Sequence, residues 1–106
     1  MEIELLYFKG CPYYQNALRN LEEVVREKGL DARIKMVEIA DDEAALENRF
    51  LGSPSIRIDG MDIEPGARKI VNFSMRCRLY FEGGETKGWP SKRLIREAIE
   101  EAEQKS

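Results

Sequence analysis

The sequence predicts an α/β domain of order β-α-β-α-β-β-α, a single unit over residues 1–106 with an inserted segment at about 67–90 ahead of the last helix. Three observations carry that expectation. The apolar run Ile3–Phe8 ends at Gly10 and leads through Cys11 and Pro12 into a stretch with helical spacing. About forty residues later Pro54 opens a second strand-like stretch, Ser55–Ile58. Asp59-Gly60 then marks a tight hairpin into Met61–Glu64, because that pair favours the type I′ turn that matches strand twist.

The elements follow in order. Ile3–Phe8 reads as a buried strand and as the centre of a four-stranded mixed sheet with helices on both faces. From Pro12 to about Lys28 the apolar positions Ala17, Leu18, Leu21, Val24 and Val25 repeat at helical spacing, and Gly29 stands where a C-terminal glycine belongs. Glu22 and Arg26 are spaced for an i,i+4 ion pair on the wet face. Ala32–Ile39 is a second strand, with Ile34 and Met36 on one face. Asp41 or Asp42 caps a short helix running to Leu51, with Ala45, Leu46 and Phe50 inward and Gly52 ending it. After the hairpin, Pro65-Gly66 turns the chain. Ala67–Pro90 holds a strand at Cys77–Phe81 and turn residues Gly83-Gly84. The last helix starts after Ser91 and presents Leu94, Ile95, Ala98, Ile99 and Ala102 on one face.

Composition narrows the function. With 17 basic against 20 acidic residues the formal charge is −3, so no global field steers the chain toward nucleic acid or anionic membranes. No apolar run approaches the ~20 residues that span a bilayer, and acids at Glu2 and Glu4 do not suit a signal peptide, so a cytoplasmic protein is expected. Two cysteines and no histidine leave no Cys-His relay, no imidazole ligand and too few thiols for a structural zinc site. No metal site or cofactor is expected.

What remains is thiol chemistry. A thiol at the N-terminus of the first helix meets unpaired backbone N–H groups and the positive end of the macrodipole, which favour the thiolate. Cys11 is therefore either a nucleophile or soft ligand, or a small residue kept at a tight corner. Cys77 has Arg68, Lys69, Arg76 and Arg78 near it in sequence and no acid between Gly66 and Tyr80, a setting that also favours the thiolate. Its other reading is a strand cysteine acting as a small hydrophobe. Tyr13 and Tyr14 shape the rim around Cys11, or Tyr14 simply packs against the helix, and Trp89 before Pro90 reads as core or as a lid on the last helix. Strand directions bring Pro65-Gly66 back to the Cys11 end of the sheet. On that tracing Cys77 returns within bonding reach of Cys11; if Cys77–Phe81 is instead the rising strand, Cys77 starts at the far end.

These motifs resemble the thioredoxin and glutaredoxin superfamily over most of the chain, with Ala67–Pro90 as the departure. Cys11-Pro12-Tyr13-Tyr14 is similar to the glutaredoxin Cys-Pro-Tyr-Cys with the second cysteine replaced. Ser53-Pro54 resembles the family's cis-proline loop, and Ile56-Arg57-Ile58-Asp59-Gly60 with Pro65-Gly66 is similar to the hairpin that follows it. The whole pattern is similar to small thioredoxin-like proteins of bacteria and archaea, some labelled alkylmercury-lyase-like, which carry a cysteine in a segment similar to Ser74–Tyr80. Where glutaredoxins hold glutathione the chain departs: Lys9 is offset by one position, and Ala67-Arg68-Lys69 replaces the acids after the turn.

The resemblance implies a thioredoxin-like fold, a cis bond at Ser53–Pro54 and a thiol–disulfide oxidoreductase activity. Cys11 would attack a protein or small-molecule disulfide, and Cys77 or an external thiol would resolve the mixed disulfide. Pro12, Tyr13, Tyr14, Ser53 and Pro54 would hold the substrate, with the backbone around Ser53 pairing an incoming chain. The alternative is a thioredoxin-fold module that binds a partner or a soft metal such as Hg(II) or Cu(I) through its thiols, without redox turnover. Nucleic acid and membrane partners are not implied, and the oligomeric state is left open.

Overall fold

A computed structural model describes residues 1–105. In chain order the elements are β1 (Ile3–Tyr7), α1 (Tyr14–Glu27), β2 (Ile34–Glu38), α2 (Asp42–Glu47), β3 (Ser55–Ile58), β4 (Met61–Asp62), a 3₁₀ turn at Pro65–Ala67, β5 (Tyr80–Glu82), β6 (Glu85–Lys87) and α3 (Lys92–Lys105). The main sheet has the order β2-β1-β3-β4, and β5-β6 forms a separate hairpin. β1 is central: it pairs in parallel with β2 and antiparallel with β3, Leu6 lying opposite Ser55.

The period-two alternation of β1 divides the interior. Ile3 and Leu5 join Ile56 and Ile58 of β3 under α1 and α3, where Ala17, Leu21, Val24, Ile95, Ala98 and Ile99 are buried. Leu6 points the other way, into a smaller cluster with Ile39, Ala45 of α2 and Phe50. The fold is therefore a mixed α/β arrangement with helices on both faces of a four-stranded mixed sheet. No described helix is long and apolar enough to cross a membrane.

Terminators behave as their residue types require, with one exchange. Gly29 has φ 62°, and its N–H and that of Leu30 donate to Arg26 O and Val25 O, closing α1 with a left-handed cap. Asp41 caps α2 by accepting from the Ala44 N–H at 2.8 Å. That helix stops at Glu47, well before Gly52: Arg49 takes the left-handed position at φ 53°, and the Arg49 and Phe50 N–H groups bond Leu46 O and Ala45 O. With the helix this short, Leu46 turns outward and is 62% exposed, against the inward position expected for it. Met36, on the edge strand β2, is also exposed.

Asp59 and Gly60 both take positive φ, as a type I′ hairpin requires. In the insertion the strand starts at Tyr80 instead of Cys77, and Gly83-Gly84 turns it into β6. Ser91 caps α3 through its Oγ, which accepts from the Leu94 N–H at 3.1 Å. The expected Glu22–Arg26 pair does not form among the described residues. The acids that pair lie one position round the helix, where Glu23 and Glu27 meet Lys92 and Arg96 of α3.

Candidate functional site

Cys11 lies in the turn between β1 and α1. The helix begins at Tyr14 with Tyr13 as its N-cap, two residues later than the sequence reading placed it. Residues 12 and 13 form a turn, and the first helical bond runs from the Ala17 N–H to Tyr13 O. Cys11 thus precedes the cap by two positions and does not occupy the first helical turn, so the helix terminus reaches it less directly than expected. Its N–H donates to Phe8 O at 3.1 Å, and the residue is only 5% exposed.

The aromatic pair after it divides its work. Tyr14 stacks on Tyr7 with ring centroids 4.4 Å apart, tying α1 to β1. Tyr13 lies over the end of the insertion, 5.4 Å from the Trp89 ring centroid, and its ring fills the space a side chain at Gly88 would need. Asn20 Nδ2 donates to Pro90 O at 3.0 Å on the same seam. Tyr13 and Tyr14 are therefore structural contacts first, with Pro12 and Tyr13 still open to solvent.

Ser53 and Pro54 are buried at the start of β3, at the end of the sheet from which β1 delivers Cys11. The Ser53–Pro54 peptide bond is cis. Ser53 Oγ accepts from the Phe8 N–H at 3.4 Å, which links this loop to the turn that carries Cys11. Both backbone groups of Ser53 are already committed. Its N–H donates to Arg76 O at 2.8 Å and its carbonyl accepts from the Arg78 N–H at 3.0 Å, forming a parallel bridge to Cys77. Pro54 O accepts from the Tyr80 hydroxyl at 2.6 Å. The expectation that Ser53 pairs an incoming substrate chain is corrected here, because the protein's own residues 76–78 fill that edge.

Gly52 makes the approach possible. Its φ of 123° favours glycine, and a Cβ there would meet Arg78 Cβ at 3.0 Å and Arg76 O at 3.2 Å.

The cations around Cys77 also have other work. Arg78 is buried; Nη1 and Nη2 donate to the two Asp62 oxygens at 2.7 Å each, with further bonds to Ser55 Oγ at 3.0 Å and Glu64 Oε1 at 2.9 Å. Burial alone would lower its pKa, but the bonds it donates to Asp62 and Glu64 outweigh that and hold the guanidinium charged. Arg78 also lies over the Tyr80 ring, and burial pushes the Tyr80 phenol far above its ordinary range. Arg68 forks onto Glu101, while Arg76 donates to Leu51 O, Asn72 O and Ser74 Oγ. Three of the four basic residues are thus bonded within the fold, Arg78 to β4, Arg68 to α3 and Arg76 to the loop before β3 and to its own segment, and do not form a free cationic rim.

Cys77 emerges exposed at this clamp, and Cys11 and Cys77 are both free thiols. The structure gathers Cys11, Ser53, Pro54 and Cys77 at one end of the sheet. It also recruits Gly52, expected only as a helix terminator, and Asp62, Glu64 and Tyr80, for which the sequence suggested no role at the site. One signal for two of them was present: Asp62 and Glu64 flank Ile63 at strand spacing, so both acids face the side away from Ile63, which is buried in the core.

Among the described residues no group of three or more Cys, Asp or Glu side chains is placed to hold a metal ion. No family model, curated protein or solved structure matches the chain.

Proposed function

We propose that the protein is a thiol–disulfide exchange protein on a thioredoxin-like fold, with Cys11 and Cys77 as its reacting pair. Support for the fold comes from the β2-β1-β3-β4 order, from α1 and α3 facing α2 across the sheet, and from the cis-proline that opens β3 beside the cysteine turn. Ser53 carries the functional reading. One side of this residue bonds the Phe8 turn that leads to Cys11, and its backbone bridges Cys77.

Exposure supports an order of events in which the roles expected from sequence are exchanged. Cys77 is exposed and Cys11 buried, so Cys77 meets the substrate and Cys11 resolves. The Cys77 thiolate attacks one sulfur of a disulfide RSSR′, forming Cys77–S–S–R and releasing R′SH after protonation. Cys11 then attacks the Cys77 sulfur, forming the Cys11–Cys77 disulfide and releasing RSH. Two electrons pass from the dithiol to the substrate, and an external thiol restores the reduced protein. With the Ser53 edge filled, the accessible partner is a small-molecule disulfide or an exposed protein disulfide that reaches Cys77 without adding a strand.

Trapping separates the roles. With a mixed aromatic disulfide as substrate, Cys11→Ser is expected to accumulate the Cys77 mixed disulfide, while Cys77→Ser releases no thiol. The opposite pattern would return the attacking role to Cys11. Equal thiol release by both variants and the parent would end the proposal.

A further inference from the structure

The face of β3 and β4 that α2 leaves uncovered holds an open cleft of about 200 Å³, lined by Arg49, Arg57, Leu51, Ile70 and Phe73 among others. Its charge balance is unusual. Arg57 projects from β3 on the face opposite the Ile56 and Ile58 core, is half-buried, and has no carboxylate within 4.0 Å among the described residues. Its neighbours in the ladder are Glu4 on β1 and Asp62 on β4. Glu4 stays outside ion-pair distance, and both Asp62 oxygens are held by Arg78. Arg57 donates through Nη2 to Arg49 O. Arg49 likewise lacks a carboxylate partner among the described residues; its guanidinium sits 4.9 Å from the Phe73 ring centroid. Arg68, the third cation at the cleft, is satisfied by Glu101. Burial lowers the Arg57 pKa; the fields of Glu4 and Asp62 raise it, those of Arg49 and Arg78 lower it, and the net direction is down.

The backbone at Arg49 adds an independent observation. It holds the left-handed position at φ 53° that closes α2, where glycine would be the unstrained residue. An arginine at such a position is strained relative to glycine.

We propose that this cleft binds a small organic anion, with its oxyanion head at the Arg49 and Arg57 guanidiniums and a flat apolar body against Phe73 and Ile70. Guanidiniums match an oxyanion with paired donors, and Phe73 with the 45% exposed Ile70 offers the apolar wall. The site is independent of the thiols and stands whether or not the exchange activity does.

Benzoate is the probe, and benzamide, the same ring without charge, is the control at constant ionic strength. In an NMR titration of the intact protein, benzoate is expected to give saturable shifts at Arg49, Arg57, Ile70 and Phe73, including the arginine side-chain N–H signals, while benzamide gives none. Arg57→Gln and Arg49→Gly should each weaken benzoate about tenfold, the scale of one charge-assisted hydrogen bond. Arg49→Gly should melt no lower than the parent, which separates lost binding from lost folding. Non-saturating shifts, an equal response to benzamide, or unchanged benzoate affinity in both variants would overturn the proposal.

Discussion

At Gly52 the chain runs at φ 123° with Arg78 Cβ only 3.0 Å from where a methyl group would stand. Gly52→Ala therefore meets both backbone strain and a steric clash, and is expected to cost about 1–3 kcal/mol in denaturant unfolding. Faster hydrogen exchange at the Ser53 and Arg78 amides would locate the damage at the insertion's anchor. Arg78 is the stronger test of that anchor. It and Asp62 are 7% and 5% exposed at their side chains, so removing one partner strands a buried charge. Arg78→Met is expected to destabilise by about 3–5 kcal/mol, and Arg78→Lys should recover little because an ammonium cannot fork onto both Asp62 oxygens. Equal stability of parent and Arg78→Met would refute the clamp. At the thiols, burial sets the order of modification: native protein should lose Cys77 to a bulky maleimide well before Cys11, and both should react together in denaturant.

Elements were legible in the sequence wherever one local device decided them. Asp59-Gly60 fixed the hairpin, Gly29 the end of α1, Ser91 the start of α3, and apolar spacing the buried faces of both long helices. Legibility failed where a distant segment decided. Gly52 looked like a helix terminator because a glycine after a helical stretch often is one. Its actual partner is residues 76–78, more than twenty positions away, and the helix closes at Arg49. Arg76 and Arg78 looked like a cationic setting for Cys77 because their acceptors Leu51 O, Asp62 and Glu64 are brought in by tertiary folding. Of the candidate site, Cys11, Ser53, Pro54 and Cys77 were each readable one at a time. Their arrangement was not, since it depends on one parallel bridge between a loop and an insertion. At this scale the insertion reads as a strap, tied by Ser53, Tyr80 and Arg78 at one end and by Tyr13 and Asn20 at the other. Tyr80→Phe keeps the ring and loses only the bond to Pro54 O, so it should cost about 1–3 kcal/mol and leave α3 packing intact by circular dichroism.

Across the whole molecule, α3 is held to the rest by apolar packing and a rim of ion pairs, with Glu27 between Lys92 and Arg96 and Glu101 under Arg68. Hydrogen bonds from Arg68 hold the Glu101 carboxyl at about 2, well below 4.5, and those from Lys92 and Arg96 lower Glu27 in the same direction. A carboxylate with a depressed folded pKa contributes its stability above the unfolded value and loses it as pH falls through the folded one. Stability should therefore decline as pH drops from about 4.5 toward 2, and Glu101→Gln should flatten that decline in thermal melts. High salt should act in the same sense, because these pairs lie at the surface. Away from these ion pairs, Ser53 joins the Cys11 turn to the Cys77 strap, and the proposed thiol pair depends on that link. The pair's most direct measurement is peptide mapping after mild diamide oxidation of dilute protein. A single monomeric species in which the Cys11 peptide is linked to the Cys77 peptide, with both thiols recovered on reduction, is the result expected. Cys77–Cys77 dimers with Cys11 left free would contradict it.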